Sequence, residues 1–172
     1  MKHLKEEYPD ACFVPEAATN VMESEREKQK EAEAVGLEYE PIMPMTNYPA
    51  FRPLVLREAV KLEADISEDA NLVFMDRSFI DQVGYNQVNG FDSANAELEQ
   101  KIKLANYAFV LFCEPVGKYK QTPDRQETPE EARVRHDALS VVHDMSDVQI
   151  VHLPAQPVPE RLAIIREVIA AH

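Results

Sequence analysis

The stretch Leu72-Val73-Phe74-Met75-Asp76-Arg77-Ser78 decides the reading of this chain. Four apolar residues in succession predict a strand buried on both faces, as in a parallel sheet. The run stops at an acid, a base and a hydroxyl. In an open α/β sheet, ligands bind outside the carboxyl ends of the strands. Asp76, Arg77 and Ser78 are therefore expected where chemistry is done, and their charges suit a phosphate or a metal ion.

Three more apolar runs resemble this one in kind. Ala11-Cys12-Phe13-Val14 is closed by Pro15-Glu16, Tyr107-Ala108-Phe109-Val110-Leu111-Phe112-Cys113 ends at Glu114-Pro115, and Val148 to Leu153 is the last. The segments between them read as helices. Residues 1–8 look like the tail of a helix stopped by Pro9. From Ala17 to Val35 the chain is charged, with a thin apolar stripe, and Gly36 is a natural C-cap. Pro41, Pro44 and Pro49 predict a loop over residues 37–50. Leu54, Val55, Ala59, Leu62 and Ile66 fall at helical spacing. Ile80 to Val88 reads as a helix ending near Asn89-Gly90, and Ala94, Leu98, Ile102 and Ala105 mark another. Thr128-Pro129-Glu130-Glu131 predicts a helix start with a capping box. The last helix, Pro159 to Ala171, turns Leu162, Ile165 and Ile169 inward. Strands alternating with helices predict an α/β fold, a mostly parallel sheet with helices on both faces.

The length of 172 residues suits one domain with a substantial core. A net charge of −13 opposes broad binding to nucleic acid or to an anionic membrane, while leaving room for a local basic site. No apolar run is long enough to cross a bilayer, and the polar N-terminus carries no signal-peptide core. Cys12 and Cys113 lie in apolar runs, so both are expected as buried, reduced thiols in a cytoplasmic protein.

Five stretches, in their order, carry a resemblance: Val14-Pro15-Glu16-Ala17-Ala18; Asp76-Arg77-Ser78 with Asp81 and Tyr85; Phe112-Cys113-Glu114-Pro115; Arg125-Gln126-Glu127 leading into Glu130-Glu131-Ala132; and Leu153-Pro154. Together they resemble the AAA-type ATPase/kinase family of P-loop proteins. That family is related to the nicotinamide riboside kinase domain of NadR and, more distantly, to deoxynucleoside and thymidylate kinases. The resemblance implies a three-layer P-loop NTPase-like fold of the nucleoside-kinase kind, with ATP and Mg²⁺ as cofactors and a small hydroxylated acceptor. One element is missing. The chain has four glycines, Gly36, Gly84, Gly90 and Gly117, and none lies in G-x-x-x-x-G-K-[ST]. Residues 1–8 match the helix that follows the P-loop, so roughly 15–20 residues of strand and loop are expected upstream. In such folds the first strand lies mid-sheet, between those at 72–76 and 107–113. Its absence would open a gap of about 10 Å and strand two rows of backbone groups.

The same resemblance distributes roles. Glu16 would be the general base, or else simply an acid at a helix N-terminus. Asp76 would hold Mg²⁺ or assist as base. Arg77 would clamp phosphate charge, or pair with Glu16 or Asp81. Ser78 is a candidate helix cap. Asp81 and Tyr85, four apart on one helix, would face the acceptor, with core packing as the alternative for Tyr85. Residues 116–128 match a lid, in which Lys118, Lys120 and Arg125 would approach the transferring phosphoryl group, with Arg133 as a second lid arginine. His136 and His143 share a helix face without a third ligand near in sequence. The rival expectation is a non-catalytic interaction module that has lost the P-loop.

Overall fold

A computed structural model describes residues 1–92, 96–117 and 127–172. They form helices α1 (Lys2–Glu7), α2 (Ala17–Ala34), α3 (Tyr48–Ala64), α4 (Phe79–Val88), α5 (Ala96–Leu104), α6 (Pro129–Asp144) and α7 (Val158–Ala170). The strands are β1 (Cys12–Val14), β2 (Val73–Met75), β3 (Phe109–Cys113) and β4 (Gln149–Leu153). The chain divides into two compact units, Met1–Phe79 and Ile80–His172. This is a mixed α/β architecture with short parallel sheets, compatible with a P-loop-like fold.

In the first unit β1 and β2 pair in parallel, with Val14 opposite Met75. Phe74 is the anchor of the pair. Its ring stacks on Phe13 at 5.2 Å and meets Tyr8 at 5.4 Å, so α1 is fastened to the strands by aromatic contact. α2 packs on α3, and Asn20 Nδ2 donates to Glu58 Oε1 at 3.0 Å. Val14, Ala17, Val21, Phe51, Leu56, Phe74 and Phe79 are buried.

The start of α3 departs from the sequence reading. Pro49 lies inside the helix, not in the preceding loop, because a proline costs nothing in the first turn, where no N–H is needed. Asn47 sets the boundary: its side chain accepts from Ala50 N at 3.2 Å. The deeply buried residues are Phe51 and Leu56, while Leu54, Val55, Ala59, Leu62 and Ile66 are half-buried.

In the second unit β3 and β4 pair in parallel, with Phe109 opposite Gln149 and Cys113 opposite Leu153. Leu98, Phe112, Leu139, Val142, Leu153 and Ile165 are buried. α4 and α6 come close at Gly84, where an added Cβ would stand 2.9 Å from Leu139 Cδ2 and 3.2 Å from Val142 Cγ2. α6 begins with the expected capping box. Thr128 accepts from Glu131 N, and Glu131 Oε2 accepts from Thr128 N at 2.7 Å. Those hydrogen bonds, the backbone one foremost, lower the Glu131 pKa. Ala94, expected at the start of α5, lies outside the described residues.

Cys113 corrects another expectation. The thiol is exposed, because side chains alternate along a strand and Phe112 takes the buried side at the end of β3. Cys12 is half-buried, and neither cysteine is in a disulfide. Among the described residues no helix is long and apolar enough to cross a membrane.

Candidate functional site at the tips of β1 and β2

The β1–β2 ladder brings two separate sequence motifs together. Asp76 N donates to Val14 O at 3.0 Å, which carries the pairing one residue past β2. Val14 stands two residues before Glu16, so the acid after β1 and the Asp76-Arg77-Ser78 turn after β2 share one end of the sheet. That end is the carboxyl end of both strands.

Glu16 is the N-cap residue of α2, yet its side chain makes no capping hydrogen bond. Its oxygens have other partners. Oε2 accepts from Thr19 Oγ1 at 2.8 Å, and Oε1 lies 3.7 Å from Arg77 Nε. Glu16, one of the two partners expected for Arg77, lies beside it. Both side chains are part-exposed, 42% for Arg77 and 33% for Glu16, so water screens the pair and its stabilising effect is small.

Arg77 adopts φ of +77°, unlike every other non-glycine residue described. An L-residue there brings Cβ against the following carbonyl, at a cost of roughly 1–2 kcal/mol. Such strain persists where the surrounding structure imposes it, and it concentrates at ligand sites. Here the turn lifts Asp76 and Arg77 to the surface, while Phe79 and Ile80, only 1% and 3% exposed, anchor the chain just after it.

The other candidates belong to the second unit or lie outside the described residues. Asp81, in the first turn of α4, is 6% exposed, with Oδ1 3.5 Å from His143 Nε2 on α6. Tyr85 is half-buried, and its carbonyl accepts from Asn89 Nδ2 at 2.8 Å. Arg133 is exposed on α6. Lys118, Lys120 and Arg125 lie outside the described residues.

Two polar networks escaped the sequence reading. Glu25 on α2 is 1% exposed and receives Lys28 Nζ at 2.6 Å, Tyr39 Oη at 2.6 Å and Ile42 N at 3.0 Å. Burial pushes its pKa up, but the hydrogen bonds from Lys28, Tyr39 and Ile42 outweigh burial and hold it below 4.5. The same contact raises the pKa of both Lys28 and Tyr39. Glu25 thereby fastens the segment after α2 to the helix.

The second network closes the carboxyl ends of β3 and β4. Glu114 Oε2 lies 3.2 Å from His136 Nε2, and its Oε1 lies 3.7 Å from His152 Nδ1. Arg161 donates to the carbonyls of Glu114, Leu153 and Pro154. The rings of His136, His143 and His152 surround Phe112 at 4.9, 6.0 and 5.4 Å. The sequence signal for Glu114 was the one that drew attention to Asp76, a charged residue ending an apolar strand.

These residues can be tested against the groups a P-loop protein uses. Mg²⁺ keeps several waters and takes one or two carboxylates together with phosphate oxygens. Asp76, a single exposed carboxylate at a strand tip, fits that need. Among the described residues no three His, Cys, Asp or Glu side chains are grouped to hold a metal by themselves. For the triphosphate, the motif G-x-x-x-x-G-K-[ST] does not occur within the 172 residues.

A protein-family model described as an AAA domain matches residues 1–161, nearly all of the chain. No curated protein matches the chain, and no solved structure does. The match is compatible with the parallel strand pairs, and it brings with it nucleotide binding of the P-loop type. The chain belongs to the AAA domain family.

Proposed function

We propose that these residues supply the acceptor side and the metal-holding carboxylate of an ATP-dependent phosphoryl transfer to a small hydroxylated acceptor of nucleoside-like chemistry, the 172 residues themselves lacking the P-loop motif. One observation carries the proposal: the Glu16 carboxylate sits at a helix N-terminus but turns from the helix amides to Thr19 and Arg77. A purely structural acid at that position would cap the helix. A carboxylate held beside a guanidinium at a strand tip suits a general base next to a charge-stabilising group.

In this reading Glu16 removes the proton of the acceptor hydroxyl. Arg77 stabilises charge on the acceptor side, and Asp76 is the carboxylate for Mg²⁺. ATP with Mg²⁺ supplies the phosphoryl group. Lys118, Lys120, Arg125 and Arg133 are the lid cations that neutralise it, and Asp81 and Tyr85 contact the acceptor. Residues 1–172 act as one three-layer domain of the NadR ribosylnicotinamide-kinase-like kind, with 116–128 as the lid. Cysteines outside any disulfide and a net charge of −13 suit a cytoplasmic protein whose partners are a nucleotide and a small molecule rather than nucleic acid or membrane.

The experiment is a nuclear magnetic resonance titration of residues 1–172 with nicotinamide riboside and deoxycytidine as probes. The expected result is a set of saturable shifts centred on Glu16 and Arg77, weakened by Glu16→Gln. Mn²⁺, used as a paramagnetic stand-in for Mg²⁺, should broaden signals around Asp76, and Asp76→Asn should abolish the effect. Silence at Glu16 and Arg77 with both probes would sink this reading. It would favour a non-catalytic interaction module.

A further inference from the structure

We infer that Thr19 is a positioning residue for Glu16, selecting Oε1 as the oxygen presented to the acceptor. This rests on the reading of Glu16 as proton acceptor. The argument starts from a contrast within the molecule. α6 opens with threonine at the N-cap and glutamate three residues on, Thr128 and Glu131, and each side chain satisfies a backbone amide of the other. α2 opens with the same residue types, three apart, in reverse order: Glu16 at the N-cap and Thr19 three residues on. In both pairs the threonine hydroxyl donates to the glutamate, Thr128 Oγ1 to Glu131 Oε2 at 3.0 Å and Thr19 Oγ1 to Glu16 Oε2 at 2.8 Å, but in α2 that bond stands alone and no side chain caps the helix.

A carboxylate at an N-cap has a ready alternative. It can rotate onto the first free amides of its own helix, where charge and dipole both favour it. The Thr19 hydroxyl opposes that rotation. It occupies Oε2 and leaves Oε1 directed toward Arg77, 3.7 Å away. That separation is longer than a hydrogen bond, so Oε1 keeps both of its acceptor positions while Oε2 has given one to Thr19. Thr19 touches no reacting atom in this arrangement. Its part is to fix which oxygen of Glu16 faces the strand tips, the kind of support that keeps a reactive group in register.

The test reads Arg77 directly. In nitrogen-15 side-chain spectra, the Arg77 Nε–H exchange rate with water reports how closely the Glu16 carboxylate stands by. Thr19→Val keeps the shape and β-branching of threonine and removes the hydroxyl. By losing the Thr19–Glu16 hydrogen bond it should let the carboxylate turn from Arg77 to the helix amides and so speed exchange by up to about fivefold, the worth of one ordinary net hydrogen bond. Thr19→Ser should restore the wild-type rate. In the Glu16→Gln background, Thr19→Val should add little, since the partner it positions is gone. Unchanged exchange in Thr19→Val, or equal acceleration in Thr19→Ser, would overturn the inference. So would a Thr19→Val effect that persists undiminished in Glu16→Gln. The two proposals fail separately: acceptor titrations insensitive to Glu16→Gln would remove the functional reading yet leave this coupling intact.

Discussion

At the residue scale, Arg77 is the position where local preference and observed backbone disagree. Its φ of +77° suits glycine and strains an arginine. Arg77→Gly and Arg77→Ala both remove the guanidinium, so comparing them isolates the backbone. The glycine variant should be more stable than the alanine variant by about 1 kcal/mol in urea denaturation. Equal stability, or a more stable alanine variant, would mean that the turn is not strained. Glu25 yields a pH prediction. Its folded pKa lies below the 4.5 of the free side chain, so its stabilising contribution is complete above that value and is lost as pH falls through the folded pKa. Wild type should therefore exceed Glu25→Gln in stability at neutral pH, and the difference should shrink steadily in acid. Glu25→Ala, which leaves Tyr39 and Ile42 N without their acceptor, should cost about 1–3 kcal/mol. A stability difference between wild type and Glu25→Gln that grows on acidification would contradict the sign.

At the element scale, helix starts and helix contacts decide. The Thr128–Glu131 box was legible in the sequence because all its parts lie within four residues. Thr128→Ala should destabilise by about 1 kcal/mol, measured as a shift in the urea midpoint. The contact between α4 and α6 was not legible, since it joins residues more than fifty apart in the chain. Gly84→Ala separates two effects of opposite sign. Alanine favours a helix by about 1 kcal/mol over glycine. Against it stand Leu139 Cδ2 at 2.9 Å and the β-branched Val142 at 3.2 Å, both side chains buried. Overpacking of this kind costs about 1–3 kcal/mol, so net destabilisation near 1 kcal/mol is expected. A more stable variant would show that α6 yields easily. The Pro49 misreading belongs to this scale too: proline signals a loop almost everywhere except in the first helical turn.

At the scale of the whole molecule, the order of helices and strands could be read because apolar runs and helical periodicity are local signals. So could the strand-tip acids and the family, since charge at the end of an apolar run needs no partner to be recognised. What could not be read was who meets whom. Glu25 passed for one more charge on a polar helix, because its partners Tyr39 and Ile42 lie 14 and 17 residues away in a loop. Glu114, His136, His152 and Arg161 converge from three elements and the end of a strand, with nothing in their spacing to announce it. The pairing of Glu16 with Arg77 could be seen only once the β1–β2 register brought the strand tips together. The chain thus joins membership of the AAA domain family to acids and an arginine at the strand tips of the described residues, without the sequence G-x-x-x-x-G-K-[ST] in its 172 residues. Calorimetric titration of residues 1–172 with ATP, with and without Mg²⁺, tests that account most directly. The account predicts weak binding, with a dissociation constant of about 1 mM or above, and little dependence on Mg²⁺. Mg²⁺-dependent binding at about 1 μM by these residues alone would contradict it.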